Sequence, residues 1–105
     1  MDKTTTINII KDYIQLLEKE GVTIDKAFLY GSYAKDAQNT ESDIDVMLVS
    51  ALFEQQNDQL WGKVWMLTKR INSRLEPYLV STNRFLQDNF SPIIQIVKKE
   101  GISIL

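Results

Sequence analysis

The stretch Ala27-Phe28-Leu29-Tyr30-Gly31-Ser32-Tyr33-Ala34-Lys35-Asp36-Ala37-Gln38-Asn39-Thr40-Glu41-Ser42-Asp43-Ile44-Asp45 decides how the chain is read. The apolar run within 25–30 ends at a glycine and reads as a short buried strand. Gly31 and Ser32 turn the chain, 33–37 read as a short helix and 38–42 as a polar loop. From 43 to 50 the residues alternate. Ile44, Val46 and Leu48 point one way, and Asp43, Asp45, Met47 and Val49 the other. This is a second strand with its acids at the entry end.

Outward from this stretch, 6–20 carries Ile7, Ile10, Ile14 and Leu17 at helical spacing, with a threonine to cap it and Gly21 to stop it. The longest helix is expected over 54–74. Its stripe is Leu60, Val64, Leu67 and Ile71, widened by Trp61 and Trp65, which suit either packing on a sheet or a partner surface. A third strand is read over 75–81, where Pro77 argues for an edge position or a bulge. A short helix at 83–89 follows. A last helix at 92–100 has Ser91 as cap and Pro92 in its first position. Gly101 stops that helix, and 102–105 either pair as a strand or simply pack. The order is α-β-α-β-α-β-α. It predicts an α/β (α+β) fold, with a small mixed β-sheet of three to four strands and helices packed against it, in a single domain spanning 1–105.

Composition narrows the chemistry. The 105 residues are 44% hydrophobic, enough for one packed core. There is no cysteine and no histidine. Disulfides, thiolate metal sites and imidazole catalysis are therefore excluded. A bound metal would be held by oxygen, which favours Mg²⁺, Mn²⁺ or Ca²⁺. The net charge is −2, from twelve basic and fourteen acidic residues. Nucleic acid is not indicated as a partner by that balance. No apolar run approaches the roughly 20 residues of a membrane span, and residues 1–6 lack an apolar signal core. A cytoplasmic protein away from membranes is expected.

Gly31 lets the backbone approach a phosphate closely. Amides at a helix start favour anions, Ser32 adds a hydroxyl, and Lys35 one turn later adds a positive charge. Asp43 and Asp45 share a strand face about 6.6 Å apart along the backbone. Two carboxylates pointing together repel, and a divalent ion relieves this. Taken singly, Gly-Ser also suits a plain strand-to-helix turn, and Asp-x-Asp a solvated strand end. Jointly they would bring a triphosphate and its metal together, as phosphoryl and nucleotidyl transfer require.

An apolar strand, Gly-Ser, a ten-residue spacer from 33 to 42 and Asp-Ile-Asp together resemble the signature of the nucleotidyltransferase superfamily that includes DNA polymerase β. Over most of its length the chain is similar to the minimal nucleotidyltransferases, and its close, Ser91-Pro92 through Lys98-Lys99-Glu100-Gly101-Ile102, matches theirs too. The family often carries a basic, a small and a basic residue and then glycine after Gly-Ser. Here Tyr33, Ala34, Lys35 and Asp36 stand there.

The resemblance implies a nucleotidyltransferase fold and transfer of a nucleoside monophosphate, from ATP or another triphosphate, onto an acceptor. It implies Mg²⁺ or Mn²⁺ as cofactor. Asp43 and Asp45 would hold the metal, and a third carboxylate on a later strand would complete the site. Glu76 is the acid on the expected third strand, with Asp36, Glu41 and Glu54 as rivals in loop or helix. Gly31, Ser32, Lys35 and Ser42 are the nucleotide-binding candidates. Relatives of this size are often antitoxins that adenylylate a tyrosine of a HEPN-domain toxin, so such a partner is implied. A silent binding module that neutralises a partner by contact is the alternative. A small-molecule transferase would need more pocket than one such chain provides, unless a homo-oligomer builds it.

Overall fold

The computed structural model describes residues 2–38 and 42–105. Asp2, rather than a threonine, starts the first helix. Its carboxylate accepts from the Thr5 amide at 2.7 Å, so α1 runs Lys3–Lys19, one turn earlier than the apolar stripe alone indicates. Thr6 is buried, with its hydroxyl donating to the Asp2 carbonyl at 2.8 Å.

Strand β1 is Lys26–Tyr30 and β2 is Ile44–Val49. The expected short helix at 33–37 is a series of turns instead. The Lys35 amide donates to the Gly31 carbonyl at 3.3 Å and the Ala37 amide to Ser32 at 2.9 Å. Asp36 then takes a left-handed φ of +56°, which a helix cannot continue through. With no helix between them, β1 and β2 pair antiparallel, from Lys26↔Val49 to Tyr30↔Asp45. Of the expected loop 38–42, Asn39, Thr40 and Glu41 lie outside the described residues.

A 3-10 turn at Ala51–Phe53 precedes α2, Asp58–Ile71, so the helix expected over 54–74 is trimmed at both ends. Asn57 sets its start by accepting from the Leu60 amide at 3.1 Å. Strand β3, Leu75–Val80, pairs parallel with β2, from Ile44↔Leu75 to Val49↔Val80. Helix α3 is Thr82–Gln87, capped by Ser81, and α4 is Pro92–Glu100 with Pro92 leading it. Ser91 occupies the cap position without a side-chain bond to the helix. Ile102–Ser103 forms β4, antiparallel to β1.

The sheet order is β3-β2-β1-β4, with the parallel pair at one end. One sheet face carries Ala27, Leu29, Ile44, Val46 and Leu48. It packs on Ile10, Tyr13, Ile14 and Leu17 of α1 and on Val64 and Leu67 of α2. The Tyr13 hydroxyl crosses that layer to the Val64 carbonyl at 2.7 Å. The other face carries Met47, Val49 and Val80 under Phe85, Ile94 and Val97. The alternation read along β2 is thus the division between two cores.

Pro77 is buried on β3, an edge strand, as its ring requires. The Arg74 and Val80 carbonyls accept from Ile44 and Ser50. By the alternation of a parallel ladder, residues 75, 77 and 79 turn their backbone groups to the open side, so Pro77 breaks no pairing.

Candidate active site

Three strands place three side chains in a row. Tyr30 is the register partner of Asp45 across β1 and β2, and Glu76 is its partner across β2 and β3. Register partners share a face, so all three lie on the sheet face of Met47. The apolar cluster of that face gives way to acids at the end where β2 begins.

Gly31 follows Tyr30 and bends with a φ of +77°, which favours glycine. A Cβ at Gly31 would collide with the Asp45 carboxylate, with Oδ2 its nearest atom. The bend and the acid are therefore in direct contact, and the missing side chain keeps them so. Partial burial raises the Asp45 carboxyl above its ordinary 3.8, and the charges of Asp43 and Glu76 raise it further. Burial, then Asp45, Tyr78 and Glu76, push the Tyr30 phenol up to about 12, so it stays protonated beside the acids.

The three expected metal ligands do not form a closed set. Asp43 and Glu76 lie close enough to raise Asp45, yet among the described residues no three acids stand together as a metal-holding group. Asp43 precedes the first residue of β2, so the ladder does not pin it, and both it and Glu76 are exposed. Their donor chemistry fits a hard cation: carboxylate oxygens only, in a chain without histidine or cysteine.

The phosphate candidates divide. Ser32 is half-buried beside Gly31, and Ser42 is half-buried directly before Asp43. The Lys35 and Ala37 amides close the turn on itself, which leaves an anion to the amides at its start. The Lys35 ammonium lies 3.3 Å from the Glu100 carboxylate. Asp36, standing where the family pattern often has glycine, keeps the glycine-like backbone. Its carboxylate meets Lys3 at 3.0 Å, which ties its charge to the start of α1.

Beside Glu76 a cavity of about 360 Å³ opens between β3 and α2, lined by Trp65, Lys69, Ser73 and Leu75 among others. The two tryptophans part company here. Trp61 packs on the core with its indole nitrogen buried and unpaired among the described residues, whereas Trp65 is 43% exposed. Tyr30 escaped the reading of the sequence. Its place on the Asp45 face follows from antiparallel register, which no local pattern reports.

A mixed sheet whose first strand bends at Gly-Ser over the acid of its neighbour is the architecture of the nucleotidyltransferase fold. The family profile "Polymerase beta, Nucleotidyltransferase" matches residues 10–105, and the chain belongs to that family. A search of curated proteins finds no match.

Solved structures share the fold. A Sulfolobus solfataricus protein named as a candidate nucleotidyltransferase aligns at a TM-score of 0.63 and 13% identity, over 96% of this chain and 80% of that one. A toxin-antitoxin structure with AMP-PNP aligns at 0.63 and 23%, over 94% and 72%. The toxin-antitoxin MntA-HpeT, in a mutant with two aspartate-to-glutamate changes two positions apart, aligns at 0.60 and 18%, over 90% and 71%.

Proposed function

We propose that the chain, as a single domain, is a divalent-metal-dependent nucleotidyltransferase. It moves a nucleoside monophosphate, in the simplest case AMP from ATP, onto a hydroxyl acceptor. The acceptor oxygen bonds the α-phosphorus, the bond to the bridging oxygen breaks, and pyrophosphate leaves with that electron pair. The reading rests on one observation: the Asp45 carboxylate is seated against the Gly31 bend, with Glu76 beside it in register.

Asp43, Asp45 and Glu76 would hold Mg²⁺ or Mn²⁺. When bound, such an ion neutralises charge on the triphosphate and lowers the acceptor hydroxyl's pKa. Gly31 lets the phosphates approach, while Ser32, Ser42 and Lys35 bind their oxygens and hold them in line. Glu76, exposed at the strand edge, takes the acceptor's proton.

The acceptor is a tyrosine of a HEPN-domain toxin, and the chain is its antitoxin in the cytoplasm. Two of the structural neighbours are toxin-antitoxin complexes, one of them crystallised with a nucleotide analogue. The paired substitutions in the other are spaced like Asp43 and Asp45. Intact-mass analysis of a co-produced helical partner, after incubation with ATP and Mg²⁺, tests this. An added AMP that vanishes in Asp45→Asn is the expected result, and an unmodified partner refutes transfer.

A second reading is favoured by the open arrangement of the three acids and by the engagement of Lys35 with Glu100. The domain would then neutralise its partner by contact alone. A tight complex of unchanged mass, insensitive to Asp45→Asn, would establish it.

A further inference from the structure

The turn after Gly31 carries two charged side chains, and each is tied to a different helix. Asp36 is held by Lys3 at 3.0 Å, at the start of α1. Lys35 is held by Glu100 at 3.3 Å, at the last residue of α4. The backbone around Lys35 is fixed, since its amide closes on the Gly31 carbonyl. The backbone of Glu100 is held too. It ends a helix and is followed by Gly101 and β4, which pairs with β1 at Phe28 and Leu29. What can move are the two side chains, above all the lysine's, four carbons long and 59% exposed.

We propose that Glu100 is a positioning residue that competes with nucleotide phosphates for Lys35. The ammonium has two stations, the Glu100 carboxylate and the space before the Gly31 bend. It leaves the first when a polyphosphate occupies the second. The inference rests on the reading that polyphosphate binds at Gly31. A ligand that uses Lys35 must first break the pair, so its affinity is lowered in proportion to the fraction of molecules in which the pair is open. Half-exposed ion pairs of this kind are screened by water, which sets the factor at about 1.5- to 5-fold.

The full chain is titrated with Mg-ATP, and separately with inorganic tripolyphosphate, at low salt. Glu100→Gln is expected to bind both about 1.5- to 5-fold more tightly than the parent. Its KM for ATP falls by the same factor while kcat stays level, and Glu100→Asp lies between. In a Lys35→Met background, Glu100→Gln brings no gain. A gain that persists without Lys35 would mean that Glu100 merely repels anions at a distance, and would overturn the proposal. Unchanged affinity in Glu100→Gln, with ATP binding otherwise intact, would overturn it equally. Failure of the parent and all variants to bind either probe would sink this proposal together with the nucleotide reading, a pattern distinct from the other two. Circular dichroism confirms folding, which two exposed side chains should not disturb.

Discussion

At Gly31 a left-handed backbone and a neighbouring carboxylate leave no room for any side chain. Gly31→Ala is expected to lower stability by about 1–3 kcal/mol, read by urea denaturation, because it combines an unfavourable φ with a displaced acid. Nucleotide binding should fall with it. Asp45 carries the opposite balance. Its carboxyl lies above 3.8 in the fold, so the folded chain holds that proton more tightly than the unfolded one. Ionisation therefore costs stability at neutral pH, and the cost fades as pH falls through the raised value. Asp45→Asn should make the protein more stable near neutrality, with the gain shrinking under acid, while abolishing transfer. Thermal melts should also show a rise with Mg²⁺ in the parent that the variant lacks. The Gly31 bend and the acid at the entry of β2 were legible in the sequence, because residue type and spacing mark them. The partners of Lys35 and Asp36 were not, since Glu100 and Lys3 are brought to them by the fold alone.

Elements were read correctly where a long apolar period or a terminator marked them, as in α1, β2 and α4. Errors fell where a side chain settles a boundary. Asp2 opens α1 before its apolar stripe starts, and Asn57 opens α2 after the expected position. The misread helix after Ser32 failed at Asp36, whose left-handed backbone no helical pattern discloses. Between elements, the Tyr13 hydroxyl joins α1 to the Val64 carbonyl inside the core. Tyr13→Phe should cost about 0.5–1.5 kcal/mol in chemical denaturation, because it removes a buried hydrogen bond while the carbonyl, inside α2, keeps its helical N–H donor.

Across the molecule, a small mixed sheet with helices packed against it was predictable from the order of elements, whereas the division into an apolar core on each face is seen only in the fold. Strand order and direction were not, because antiparallel β1–β2 and parallel β2–β3 depend on contacts between distant segments. Leu29 belongs to the larger core and is fully buried. Leu29→Ala should cost about 2–5 kcal/mol, measured by its unfolding midpoint. The ring of Pro77 has a consequence for assembly. Any incoming chain that tried to lengthen the sheet beyond β3 would find, midway along that border, a carbon where a hydrogen-bond donor is needed. Fibre-like stacking of copies through this border is thereby discouraged, and a protein that docks here must grip side chains such as Trp65 rather than the main chain.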